Sequence, residues 1–396
     1  ICRPSWLTNL ACPFEVARFM KVYLFGQRNN LGGGTHFAGF VDAMKSLAAI
    51  GGMVEEVEVS GKKISPVVSR IQPNDVSVFF FPTLSEQFVK GTIIKWGIFE
   101  TDSLPDDYIS YLKRSHLIWV PSHWAKTVLI SHGLNGDQIH VVNEGVNPGI
   151  YHPYCRSNSP ESSIFRFFMC GKKETRKGFD ELLEGFRIAY GGDETTELHL
   201  KADYFWGGQA KAEVKQDELS RQIDGLGLRN VVPVSGALST SDMALLYNNY
   251  DAMIFPSRAE GWGLPLIEAI ACGLPVISTY YSGHSEYLSA IDGQFVRLDH
   301  QLQPISCPEF LQHWKAGGQW AVASPDDIAK KLVFMKDNYG ECQKNAMVAS
   351  QTIRDHFSWR HAAEQAVDSL QSLGFFQWQN IFGDQAANRV QSMVAS

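Results

Sequence analysis

The sequence predicts two α/β domains in tandem, each a parallel sheet wound by helices on both faces. Three observations point there. The chain has 396 residues, about twice the usual domain length of roughly 100–200 residues. Short apolar runs alternate with helical patterns from end to end, as in parallel sheets covered on both sides. The alternation pauses once, over Asn143–Ser163, where Pro, Gly, Asn and Ser replace periodicity and read as a linker. Apolar residues make up 44% and charged residues 19%, so a core can form in each half and global disorder is excluded.

The elements follow in order. Lys21–Gly26 reads as a strand, and the turn Gly32-Gly33-Gly34 leads to an amphipathic helix near Thr35–Ala49 with Thr35 as its N-cap. Strands are expected at Val76–Phe81, Ile93–Phe99, Leu117–Pro121 and Ile139–Val142, with a helix over His123–His132 between the last two. After the linker, Ile164–Cys170 suits a buried strand, and Phe179, Leu182, Leu183 and Phe186 share one helical face. Strands near Leu198–Lys201, Val231–Val234, Ala252–Pro256 and Val276–Thr279 complete the second unit, and the chain from Asp326 is mostly helical in pattern. The expected division is 1–150, 151–358, and closing helices over 359–396 that cross back to the first domain. In such sheets ligands gather at the carboxyl ends of strands, so two facing units would enclose a cleft.

Composition narrows the partners. No run of about 18 apolar residues occurs, so no membrane-spanning helix is expected. Arg3 and Arg18 bracket Pro4, Pro13 and Glu15 without an apolar stretch, so residues 1–19 read as an upstream extension rather than a secretory signal. Seven scattered cysteines contain no Cys-x-x-Cys pair, which suits reduced thiols in a cytoplasmic protein better than a disulfide scaffold or a zinc site. The net charge is −7, and residues 1–150 hold 13 basic and 13 acidic side chains, so the acidic surplus lies in the second half. Neither half is the basic body that nucleic acid attracts.

The densest chemistry lies in Ala252–Tyr287, read as strand, turn, helix from Pro265, glycine stop at Gly273, and strand. Proline suits a first helical turn and glycine a helix C-terminus. Gly261 and Gly263, around Trp262, let the backbone before Leu264 approach a ligand, and free N–H groups at a helix start favour phosphate. Glu260 in the turn and Glu268, placed in the first helical turn, can accept hydrogen bonds from pairs of sugar hydroxyls. A diphosphate flanked by two polyol groups is a nucleotide sugar. Taken singly, Glu268 suits a dipole-favoured helix start as well as it suits a ligand.

A second stretch, Gly171–Gly178, puts Lys172, Lys173, Arg176 and Lys177 in a strand-to-helix loop. No Gly-Lys-Ser/Thr closes it, so it is not a Walker loop; its composition suits a solvated basic turn, but its position aims it at the same cleft, where four cations would meet a diphosphate. Gly33 and Gly34 lack the dinucleotide fingerprint spacing but permit close approach to an anion. Glu100, in Trp96-Gly-Ile-Phe-Glu-Thr-Asp102, is a candidate for orienting an acceptor or sugar hydroxyl, and equally suits a solvated loop. His36, His116, His123 and His284 are lone histidines that suit packing or solvent.

The stretch Pro256-Ser-Arg-Ala-Glu-Gly-Trp-Gly-Leu-Pro-Leu-Ile-Glu-Ala-Ile-Ala-Cys-Gly-Leu-Pro-Val-Ile277 resembles the two-glutamate motif of retaining glycosyltransferases of family 4, in the GT-B superfamily. Val120-Pro-Ser-His-Trp124, Asn143-Glu-Gly-Val-Asn-Pro148, Arg176-Lys177-Gly178 and Phe357-Ser-Trp359 resemble further stretches of that family, over roughly residues 20–372. The resemblance implies a GT-B fold of two Rossmann-like domains, transfer of a hexose from a nucleotide-sugar donor to a hydroxyl of a glycan, lipid-linked saccharide or small molecule, and retention of anomeric configuration. It implies that Glu268 holds the ribose, that Glu260 holds the donor sugar, and that Arg176 or Lys172, with Lys177, neutralises the diphosphate. Many members have Arg where this chain has Lys172. Fixed cations could stand in for a metal ion, so no cofactor or metal is expected, and peripheral membrane contact is compatible. Two other readings are a transferase acting on nucleic acid, disfavoured by the acidity, and a non-catalytic nucleotide-sugar sensor on the same fold.

Overall fold

The computed structural model describes residues 20–29, 32–47, 50–59, 65–154, 164–202, 209–236 and 238–372. Residues 1–19, 155–163 and 373–396, with Cys2, Cys12 and Cys155 among them, lie outside the described residues, and so do the readings of an extension and of most of the linker.

The first unit runs β1 (Val22–Gly26), α1 (Gly32–Ser46), β2 (Val54–Glu58), β3 (Val76–Phe79), β4 (Thr92–Trp96), α2 (Asp106–Lys113), β5 (Leu117–Val120), α3 (His123–Ser131) and β6 (Ile139–Val141). Its six strands pair in parallel in the order β2-β1-β3-β4-β5-β6. β1, β3 and β5 are buried throughout, which is why their sequences are continuous apolar runs rather than alternating ones. The second unit runs β7 (Phe165–Cys170), α4 (Phe179–Tyr190), β8 (Thr196–Lys201), α5 (Gln209–Gly225), β9 (Val231–Pro233), α6 (Thr240–Asn248), β10 (Ala252–Phe255), α7 (Leu264–Ala271), β11 (Val276–Thr279), α8 (Ser285–Ser289) and β12 (Val296–Leu298). Its parallel order is β12-β11-β10-β7-β8-β9. The strand order reverses beside β1 in one sheet and between β7 and β10 in the other, the crevices where such sheets bind ligands.

Several predicted bounds shift. Helix α1 begins at Gly32, not Thr35, so the three glycines form its first turn instead of a preceding loop. The strands predicted to Phe81 and Phe99 end at Phe79 and Trp96. The chain there has left the sheet for loops at the cleft. The sequence reading missed β2, whose Val-Glu-Glu-Val-Glu pattern hides a charged edge strand: Glu55 and Glu56 pair with Lys21, Arg28, Lys45 and Arg70, a usual way to protect a sheet edge.

An excursion follows β12. β13 (His300–Pro304) and β14 (Gln319–Ala323) form an antiparallel pair around α9 (Pro308–Trp314). This strap crosses to the first domain. Trp320 Nε1 donates to the Glu100 carbonyl at 2.8 Å, Trp314 Nε1 to that of Ser103 at 3.1 Å, and Thr101 Oγ1 to that of Gly317 at 2.8 Å. The Gln319 N–H donates to Asp102 Oδ1 at 2.7 Å. The chain then forms α10 (Pro325–Asp337), α11 (Tyr339–His356) and α12 (Trp359–Gln371). α11 packs on α7, while α12 packs on α1 and adds Ala362, Ala363 and Ala366 to the first domain's core.

Candidate active site

The carboxyl ends of β1, β4, β7 and β10 face one cavity of about 640 Å³ between the domains. The loop after β10 supplies Glu260, Gly261, Trp262 and Gly263; the loop after β7 supplies Lys172, Arg176 and Lys177; the loop after β4 supplies Glu100.

Glu260 is buried at the centre of a charge cluster. Lys177 Nζ donates to Oε1 at 2.5 Å, and Arg176 Nη1 lies 2.9 Å from Oε2. Ser257 Oγ also donates to Oε1. The Glu260 N–H donates to Ser282 Oγ at 2.8 Å and its carbonyl accepts from Gly283 N–H at 2.9 Å, so the backbone of this turn is held as firmly as its side chain. Burial opposes charging the carboxyl, but the attraction of Lys177 and Arg176 wins and holds it at about 2. Arg176 also donates to the Ala259 carbonyl and to Glu174, and its Nη2 stands 3.6 Å from Glu100. Burial disfavours its charge; the carboxylates of Glu260, Glu100 and Glu174 overcome that and keep the guanidinium protonated. Lys172 lines the cavity, and burial lowers its ammonium below the ordinary value. Lys173 is a correction: its Nζ reaches Gln222 at 3.1 Å and lies 4.8 Å from the Phe179 ring centroid, so three of the four cations, not four, line the cleft.

Glu268 is the fifth residue of α7, one residue deeper than expected because the helix starts at Leu264, and so lies just past the first turn, which holds no acidic residue. The dipole-cap explanation therefore falls away for it. Its Oε2 accepts from Tyr247 at 3.1 Å, and the Tyr151 hydroxyl also faces the carboxyl. Burial raises Glu268 to about 7, only partly offset by those two phenols. The N–H groups of Leu266 and Ile267 donate to the Gly263 carbonyl and Pro265 has none, which leaves those of Gly263 and Leu264 for an anion at the helix start. Gly263 takes φ +92°, a left-handed conformation that side chains disfavour. Gly261 has a different reason from the one expected: a β-carbon there would strike Ile98 of the first domain. It lets the domains approach as well as lining the cavity. Gly33 lines the cavity and packs under Phe81, whereas Gly34 is buried against Asn29, away from the lining. Trp262 is buried between Tyr287 and Phe357.

Several residues of the site escaped the sequence reading. Tyr247 and Tyr151 carry no local signal, because only folding brings them to Glu268. Ser257, three residues before Glu260, was visible as a hydroxyl in the quoted motif but had no partner to suggest a role. His36, read as suiting packing or solvent, is buried among Trp96, Phe80 and Trp359 and also lines the cavity, beside Glu144. Burial depresses His36 to about 3 and His284 to about 4, so both imidazoles are neutral at pH 7. Among the described residues, Cys272, Cys307 and Cys342 are free thiols, and no three His, Cys, Asp or Glu side chains converge on a metal position. No helix among them is long and apolar enough to cross a membrane.

Residues 157–296, the segment that holds this loop, helix and carboxylate set, match the family model of Glycosyl transferases group 1. Mannosylfructose-phosphate synthase of Agrobacterium fabrum is 28% identical over 163 residues, covering 38% of this chain and 35% of that protein. D-inositol 3-phosphate glycosyltransferase 1 of Catenulispora acidiphila is 25% identical, covering 40% and 39%. The matched stretch thus spans well under half the length of these relatives. The whole architecture finds counterparts in solved structures: Anabaena Alr3699/HepE in complex with UDP and glucose (TM-score 0.65, 15% identity, 89% of this chain and 100% of that one). Sucrose-phosphate synthase of Thermosynechococcus elongatus is similar at TM-score 0.66 and 13% identity, over 89% and 99%. The chain therefore has the two-domain GT-B fold, and its second domain bears the sequence pattern of the group 1 glycosyl transferases.

Proposed function

We propose that the protein is a retaining glycosyltransferase of family 4 that moves a hexose from a nucleotide sugar to an acceptor hydroxyl. The observation that carries this reading is the pairing, in one interdomain cavity, of a carboxylate bound to two cations (Glu260, Arg176, Lys177) with a second carboxylate held by phenols (Glu268). A diphosphate needs the cations, and each polyol beside it needs a carboxylate. The relatives' names speak of sugar-phosphate and inositol-phosphate chemistry, and HepE was solved with UDP and glucose, which supports a nucleotide-sugar donor here.

In this reading Glu268 accepts from the ribose hydroxyls, and the helix start at Gly263 and Leu264 faces the phosphates. When the bond between the anomeric carbon and the phosphate oxygen breaks, negative charge grows on the leaving diphosphate. Arg176, Lys177 and Lys172 stabilise that charge. Glu260, freed from part of its ion pairing, takes the donor sugar's hydroxyls. The acceptor oxygen bonds the anomeric carbon on the face that the diphosphate leaves, and its proton passes to a phosphate oxygen.

The test combines a thermal-shift screen over UDP, GDP and ADP hexoses with donor consumption and product anomer by NMR. Native-state binding raises the melting temperature by mass action, and Glu260→Ala should abolish transfer. Donor binding without consumption, across a broad acceptor panel, would identify a sensor instead.

A further inference from the structure

The first-domain wall of the cavity is built differently from the donor wall. Among the described residues, every cation that lines the cavity belongs to the second domain: Lys172, Arg176, Lys177 and Lys201. The opposite wall, from the loop after β4, the start of α1 and the loop after β6, presents Thr35, His36, Ile98, Glu100 and Glu144, with Gly32 and Gly33. Several first-domain cations are spent elsewhere: Arg28 on Glu56 and Asp42, Lys95 on Glu86, Arg70 on Glu55. His36 Nδ1 stands 3.8 Å from Glu144 Oε1, while His36 Nε2 is buried with no hydrogen-bond partner among the described residues. A buried nitrogen without a partner costs free energy, and a cavity ligand can supply the missing bond.

We propose that this wall, built on His36 and Glu144, is the acceptor subsite and takes an uncharged polyol, not a sugar phosphate. The inference rests on the glycosyltransferase reading above and adds the acceptor class to it. A hydroxyl group both donates and accepts, so it can complete the bonding of a neutral imidazole and a carboxyl group. Burial, together with the charges of Glu100 and Glu260, pushes the Glu144 carboxyl well above its ordinary range, which favours its protonated form beside the neutral His36. A phosphate placed on this wall would meet Glu100 and, among the described residues, no first-domain cation, while the nearest guanidinium, Arg176, is already engaged by Glu100, Glu174 and Glu260; specificity arises as much from such repulsion as from attraction.

The test uses the whole chain with the donor that stabilises it most, and paired acceptors: glucose and glucose 6-phosphate, fructose and fructose 6-phosphate, myo-inositol and inositol 3-phosphate. Transfer is read above donor hydrolysis. The neutral member should be preferred by about tenfold or more in kcat/KM. His36→Phe, which keeps an aromatic ring in the cluster, should lower transfer more than it lowers donor hydrolysis. Thr35→Lys, which adds the missing cation, should move the preference toward the phosphorylated member. Preference of the unaltered protein for a phosphorylated member overturns the proposal, as does hydrolysis of the donor without transfer to any neutral member. If the donor is neither bound nor consumed, the glycosyltransferase reading itself fails, which is a separate result.

Discussion

Substituting Glu260 by Gln should weaken the fold and strengthen the grip on a nucleoside diphosphate. The carboxylate joins Lys177 at 2.5 Å and Arg176 at 2.9 Å, and all three side chains are nearly buried, at 6, 7 and 11% exposure. Removing one partner of a buried ion pair costs about 3–5 kcal/mol, because the charge left behind stays desolvated. The two cations do not suffer equally. Arg176 keeps Glu174 at 2.9 Å and Glu100 at 3.6 Å, whereas Lys177 keeps the Phe255 ring, 5.3 Å to its centroid. The loss should therefore fall mainly on Lys177 and stay near one pair's worth, about 4 kcal/mol. At about 2–4 °C per kcal/mol for domains of this size, the melting temperature should drop by roughly 10 °C. A diphosphate supplies the lost anion, so UDP, GDP or ADP should raise the melting temperature of the variant more than that of the unaltered protein. Regaining a third of the lost energy would tighten the dissociation constant about tenfold. Sugar transfer should collapse meanwhile. Scanning fluorimetry and titration calorimetry with sugar-free nucleotides read both effects. A melting temperature unchanged within ~2 °C, or weaker diphosphate binding by the variant, would refute the account of Glu260 as the anion that these cations exchange for phosphate.

Glu268, raised by burial to about 7, gives a pH dependence with a definite sign. Its protonated form is favoured in the fold, so its contribution to stability is full below about 4.5 and fades as pH rises through about 7. Ribose hydroxyls need the ionised form, so nucleotide affinity should climb by up to about tenfold per pH unit below 7 and level off above it. Calorimetry between about pH 5 and 9 should show this slope in the native protein and a flat profile in Glu268→Gln; a slope surviving in that variant would assign it elsewhere. Trp320→Phe preserves the ring that packs on Phe310 at 4.9 Å but deletes the 2.8 Å bond to the Glu100 carbonyl. It should cost about 1 kcal/mol in denaturant unfolding and lower transfer, and unchanged turnover would mean the strap does not position Glu100. Gly283→Ala drives a β-carbon into the Gly261 carbonyl. A destabilisation of about 1–3 kcal/mol with lost activity is expected, and a variant indistinguishable in melting temperature would contradict the packing at this turn.

Local order was legible in the residues because its causes are local. Apolar runs at Val22–Gly26 and Ala252–Phe255 mark buried parallel strands, Gly273 marks the end of α7, and the alternation of strand and helix makes both sheets doubly wound. Those signals also placed Glu260, Arg176 and Lys177 beyond the ends of their strands, where such sheets open to ligands. Partnership was another matter. Lys177 and Glu260 lie 83 residues apart, and Tyr247 and Glu268 lie 21 apart, so no period or spacing announces that they bond. The same holds for Lys173, which shares its loop with three cavity cations yet turns to Gln222, and for Gly261, whose missing side chain makes room for Ile98 of the other domain. The strap from His300 to Ala323 lacks a strong apolar period because much of it is exposed, and its purpose appears only where Trp320 and Trp314 reach the loop of Glu100. Backbone preference and periodicity act over a few residues and can be read from the chain. Which charges neutralise each other, and which buried nitrogen is left without a partner, depends on distances that exist only once the two sheets face one another.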